Sequence, residues 1–97
     1  MITLAFSSLA RKDLEAIGDY IAEDDPYQAV QFIKKLRDQC SKITISPKAY
    51  RLRPELWDGL RSCPFQKYVI FFIQDDSKVL IVRILHGAMD IETLFAK

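Results

Sequence analysis

At 97 residues, with 49% apolar and 28% charged side chains, the chain has the size of one domain and is too apolar to be disordered. Its formal net charge of +1 argues against general nucleic-acid binding, and no apolar run approaches the ~20 residues that span a bilayer. The amino end lacks the basic flank and long apolar segment of a secretion signal, so a cytoplasmic location is expected.

Ile2, Leu4 and Phe6 alternate with Thr3 and Ala5, which predicts a short first strand. Ser7 or Ser8 can cap the helix that follows, and Ala10, Leu14, Ile17 and Ile21 recur on one face of it. Glu23-Asp24-Asp25 suits the end of that helix poorly but suits the start of another. Asp25 is a good amino cap, and Pro26 fits a first turn where its missing N–H is not needed. Ala29, Phe32, Ile33, Leu36, Cys40 and Ile43 form the next stripe, which Ser46-Pro47 stops. Asp38 and Lys42, four apart, can support its exposed side. Two amphipathic helices joined by so short a turn must lie roughly antiparallel.

A loop rich in proline and arginine leads to Leu60–Phe65, Lys67–Gln74 and Lys78–Leu85, all read as strands, with Asp75-Asp76-Ser77 as a turn. Gly87 ends the last strand, and Ile91, Leu94 and Phe95 suggest a short helix. The order β-α-α-β-β-β plus a short carboxyl-terminal helix gives an α+β fold over residues 1–97: a helical hairpin packed on a small antiparallel β-sheet, with the first strand at its edge or joining it. In the middle strand Tyr68, Ile70 and Phe72 point one way and Val69, Phe71 and Ile73 the other, and Val79–Val82 is equally two-sided. Two helices cover one face of such a sheet, so the carboxyl tail, another copy or a partner must cover the second.

Charge is unevenly spread: residues 42–67 carry six basic side chains against Glu55 and Asp58, a surface for an acidic partner or simply a solvated loop. Tyr50 and Trp57 in and beside it are read as anchors of the loop to the core, with base stacking as the alternative. Cys40 and Cys63 have no metal-like spacing and are read as small buried hydrophobes. No cofactor or metal motif is present in the sequence.

The words Asp13-Leu14-Glu15-Ala16-Ile17, Tyr20-Ile21-Ala22 and Asp24-Asp25-Pro26, followed by the stretch from Pro54 to Asp90 with its ending Arg83-Ile84-Leu85-His86-Gly87-Ala88-Met89-Asp90, resemble the ParE branch of the ParE/RelE toxins. Their order over nearly the whole chain carries the resemblance. It implies the toxin half of a bacterial toxin–antitoxin pair, a poison of DNA gyrase without turnover of its own, in a hetero-oligomer with a cognate antitoxin. Direct DNA binding is not expected without that antitoxin. Antitoxin contact is expected at Tyr68, Phe71, Ile73, Ile81 and Arg83. A toxin of reduced potency, acting mainly in antitoxin binding and operon repression, is one alternative; the other is the RelE branch, which cuts messenger RNA on the ribosome. On that reading Glu55 would be the base, His86 the acid or base, and Arg61 and Arg83 the clamp on the charged phosphorane. The structural reading is favoured for all four: a strand-end histidine more often satisfies a local hydrogen bond, and the arginines, expected on neighbouring strands, can pair with Glu55, Asp58 or Asp90.

Overall fold

The computed structural model describes residues 2–96. Strand β1 (Thr3–Phe6) leads into helix α1 (Ser8–Ala22), and α2 (Pro26–Ile43) returns antiparallel to it. A single 3-10 turn at Pro47–Ala49 precedes β2 (Arg51–Leu52), β3 (Arg61–Phe65), β4 (Tyr68–Gln74), β5 (Lys78–His86) and α3 (Ile91–Phe95).

The helix starts follow the capping chemistry read from sequence. Ser7 Oγ accepts from the Ala10 N–H and also donates to the Val82 carbonyl at 2.7 Å, so one hydroxyl caps α1 and ties it to β5. Asp25 Oδ1 accepts from the Tyr27 and Gln28 N–H groups, with Pro26 at the first helical position. Helix α2 ends at Ile43, three residues before the Ser46-Pro47 stop, because the Thr44 hydroxyl donates back to the Ser41 carbonyl and the chain tightens there. No ion pair joins Asp38 to Lys42 among the described residues.

The strands form one sheet in the order β1-β5-β4-β3-β2. Strand β1 does lie at the edge, but it runs parallel to β5, with Phe6 opposite Ile81, so the sheet is mixed rather than purely antiparallel. The parallel pairing is possible because a long connection, the helical hairpin and strands β2–β4, separates β1 from β5. The two-residue β2, opposite Ser62 and Arg61, was not foreseen: it is too short for a period-two pattern to register. Strands β3 and β4 are joined through Gln66, whose φ of 54° is the only positive value at a described non-glycine residue.

The main core lies between the helices and the sheet. Ala10, Leu14, Leu36, Cys40 and Ile43 meet Ile70, Phe72, Val79, Ile81 and Ile84, all buried, with Tyr50 packed edge-on to Phe72. Burial raises the Cys40 thiol pKa to about 12, and Cys63, also buried and raised, accepts a hydrogen bond from Gln39 Nε2. Both are core residues, as read. Strand alternation is as expected: Tyr68, Ile70 and Phe72 face the helices, while Val69 and Phe71 belong to a smaller second core.

Candidate partner-binding groove

The second core answers part of the question that the two-sided strands posed. Leu56 and Leu60 from the loop before β3, with Ile91 and Phe95 of α3, cover Val69, Phe71, Val82 and Leu85. The Phe95 ring meets Phe71 in an edge-on contact at 5.1 Å, and the Arg53 guanidinium lies over the same Phe71 ring. Arg53 also donates to Glu55 at 2.7 Å and to the buried Ser62 hydroxyl, fixing the loop. Helix α3 is held at its start by Asp90, which accepts from the Thr93 N–H and hydroxyl; these bonds keep the Asp90 carboxyl below the usual carboxylate range. The expected anchors of the loop are only half right. Tyr50 is packed on the core, but Trp57 remains 52% exposed, and Leu56 and Leu60 do the anchoring.

The cover is incomplete. Between α3, the loop and the start of α1 a groove of about 450 Å³ remains, lined by Leu9, Trp57, Leu60, Ile73, Leu80, Val82, Arg83, Leu94, Phe95 and Ala96. Leu9, Trp57, Ile73 and Leu94 are the exposed large hydrophobic side chains among these. An apolar concavity bordered by exposed large side chains is the form of a protein-binding site.

Arg83 reaches this groove through a local irregularity. Phe71 stands opposite Arg83 and Phe72 opposite Ile81, so Val82 is an extra residue in β5 and the register shifts. Without the bulge Arg83 would fall on the helix face with Ile81; with it, Arg83 shares the face of its cross-strand partner Phe71. Its guanidinium meets Asp13 of α1: Nε to Oδ2 at 2.8 Å and Nη2 to Oδ1 at 3.0 Å. Asp13 Oδ2 also accepts the Ile84 N–H at 2.9 Å. The hydrogen bonds to Asp13 push the Arg83 pKa further above its usual range.

The chain matches the family described as the ParE toxin of the type II toxin–antitoxin system parDE over residues 4–91. It belongs to the ParE toxin family. Among solved structures, a chain from one titled "Chromosomal ParDE TA system from P. aeruginosa" superposes with a TM-score of 0.77 at 22% identity, covering 89% of this chain and 96% of that one. That likeness confirms the α+β fold. No curated protein matches the sequence.

Within this ParE fold the four residues considered for RNA cleavage lie in different surroundings. Glu55 pairs with Arg53, which lowers its pKa, and is not a partner of Arg61 or Arg83. Arg61 donates to the Tyr50 carbonyl at 2.7 Å and, more weakly, to that of Lys48, holding the chain before β2. His86 Nδ1 accepts the Ala88 N–H, and its ring stands edge-on to Tyr68 at 5.3 Å, beside a separate depression on the helix side. Arg61 and Arg83 are not on neighbouring strands, because β4 lies between β3 and β5. Asp13 was missed as the partner of Arg83: the two are 70 residues apart, and nothing in the sequence signals the bulge that joins them.

The five residues expected to meet the antitoxin do not form one surface either. Ile81 is fully buried under the helices and Phe71 fully buried under α3 and the loop, so both are core residues. Tyr68 lies on the helix side against Phe32. Of the five, Ile73 and Arg83 alone line the groove, together with Leu9, Trp57, Leu80 and Leu94 from outside that set.

Proposed function

We propose that this ParE-family chain arrests growth by poisoning DNA gyrase, without turnover of its own, and is held inactive by a cognate antitoxin seated in the second-face groove. The observation that carries the antitoxin site is the apolar concavity that α3 and the loop leave open over Ile73, Leu80 and Val82. The gyrase target rests on membership of the ParE family. The dispersal of Glu55, Arg61, Arg83 and His86 supports a target-binding toxin over a ribonuclease, since cleavage needs base, acid and cations around one phosphate.

The target is tested by inducing the chain without its antitoxin and comparing parent with His86→Ala. Growth arrest retained in the variant, with gyrase trapped on cleaved DNA in a purified assay, is expected. Loss of a general acid or base removes ~10²–10⁴-fold of rate. Ribosomal transcript cuts that vanish in the variant, with gyrase unaffected by the parent, would reverse the assignment. The groove is tested by Leu80→Asp, which places a charge among apolar side chains and is expected to abolish antitoxin binding in a folded chain.

A further inference from the structure

The groove is largely apolar. Among its described lining residues Arg83 is the only charged one, and Asp13, which pairs with it, is not part of the lining. The geometry of that pair decides what Arg83 has left to offer. A guanidinium carries five N–H donors in a planar fork, with a side edge made by Nε and one Nη, and an end edge made by the two Nη atoms. Asp13 occupies the side edge through Nε and Nη2. Among the described residues Nη1 has no hydrogen-bond partner, so the end edge retains its donors.

We propose that the segment filling this groove carries a carboxylate among its apolar side chains, and that Arg83 bridges Asp13 on its own chain to this carboxylate on the antitoxin. The inference rests on the groove being the antitoxin's seat and adds the chemistry of what enters it. A wholly apolar occupant would strip water from the end edge of a guanidinium and leave charged donors unmatched, which is unfavourable. A carboxylate matches the end edge with two parallel bonds and the opposite charge, a match that a single carbonyl oxygen cannot make. Asp13 fixes the guanidinium in advance, so little side-chain freedom is lost when the second carboxylate arrives. Arg83 is therefore a specificity determinant: it accepts an acidic residue at one position of an otherwise apolar segment and rejects a basic one.

The probe is the full cognate antitoxin, purified with each of its aspartates and glutamates changed singly to the amide. These changes leave the toxin untouched, so toxin misfolding cannot imitate the effect. One antitoxin carboxylate is expected to be worth about 10- to 100-fold in Kd, the range for a hydrogen bond to a charged group. Arg83→Gln is expected to cost a similar factor, and the combined change little more than either alone. Arg83→Lys, which keeps the charge but not the fork, should recover only part of the affinity. If Leu80→Asp abolishes binding but no antitoxin carboxylate couples to Arg83, the carboxylate inference fails and the groove stands. If folded Leu80→Asp binds like the parent, the groove is not the seat of the antitoxin and both readings fall.

Discussion

Removing Asp13 tests the link between helix α1 and the bulged strand most directly. Its carboxylate accepts from Arg83 Nε at 2.8 Å, Arg83 Nη2 at 3.0 Å and the Ile84 N–H at 2.9 Å. The side chains are 13% exposed for Asp13 and 21% for Arg83, so water reaches the pair only in part. Asp13→Ala leaves the Ile84 donor and the Arg83 fork without acceptors. A stranded buried donor costs about 1–3 kcal/mol, and breaking a fully buried ion pair about 3–5 kcal/mol. Partial exposure of both side chains brings the combined effect down to about 2–4 kcal/mol. Against a typical total of about 5–10 kcal/mol for a domain of this size, that is a large share, equivalent to a fall in Tm of roughly 10–25 °C. Asp13→Asn keeps one oxygen for Ile84 and should cost about half as much. Urea unfolding followed by far-ultraviolet circular dichroism, on parent, Asp13→Ala, Asp13→Asn and Arg83→Met, measures these differences. An Asp13→Ala variant within about 0.5 kcal/mol of the parent, the range of unconstrained surface sites, would refute the reasoning. Equal losses for the alanine and asparagine variants would refute the part assigned to Ile84.

Three further outcomes are expected. With a thiol pKa raised to about 12 by burial, Cys40 stays protonated and should resist iodoacetamide at pH 8 until the chain is unfolded; modification of the native protein at the rate of a free thiol would contradict its burial. The Asp90 carboxyl, held low by its bonds to Thr93, stabilises α3 at every pH above the usual carboxylate range and loses that effect as pH falls through its depressed value, so the Thr93 amide and Phe95 ring signals should begin to change only below about pH 4. Their loss between pH 7 and 5 would point to another group. Gln66→Gly should raise stability by up to about 1 kcal/mol, since glycine adopts the positive φ of the β3–β4 turn without strain, and thermal unfolding would show a small upward shift in Tm.

Features that depend on neighbouring residues were legible in the sequence. Ser7, Asp25 and Pro26 announced two helix starts, and the three-and-four spacing from Ala10 to Ile43 named the buried faces. The two-sided apolar pattern of β4 correctly required cover on both faces of the sheet. What escaped depends on contacts distant in sequence. The parallel pairing of β1 with β5 needs knowledge of where α1 delivers the chain. The bulge at Val82 reverses the side that Arg83 occupies, and alternation alone cannot report it. For the same reason Phe71 and Ile81, apolar and on strands, read as exposed contacts when each lies under a different layer. The groove is formed by the loop, α1, α3 and two strands together, so no local word describes it.

Strand β5 has a consequence for how the protein comes into being. It pairs with β1 on one side and β4 on the other, and it receives the Ser7 and Asp13 side chains from the start of the chain. During synthesis the helical hairpin is complete by Ile43, yet the strand that organises its apolar face ends at His86. Until residues 78–86 leave the ribosome, β1 has no neighbour and the hairpin has no complete sheet to rest on. Pairings this far apart in sequence are slow to close and leave apolar surface open to aggregation while they do. The growing chain therefore lacks a finished fold, and with it the assembled groove, until β5 and α3 have emerged.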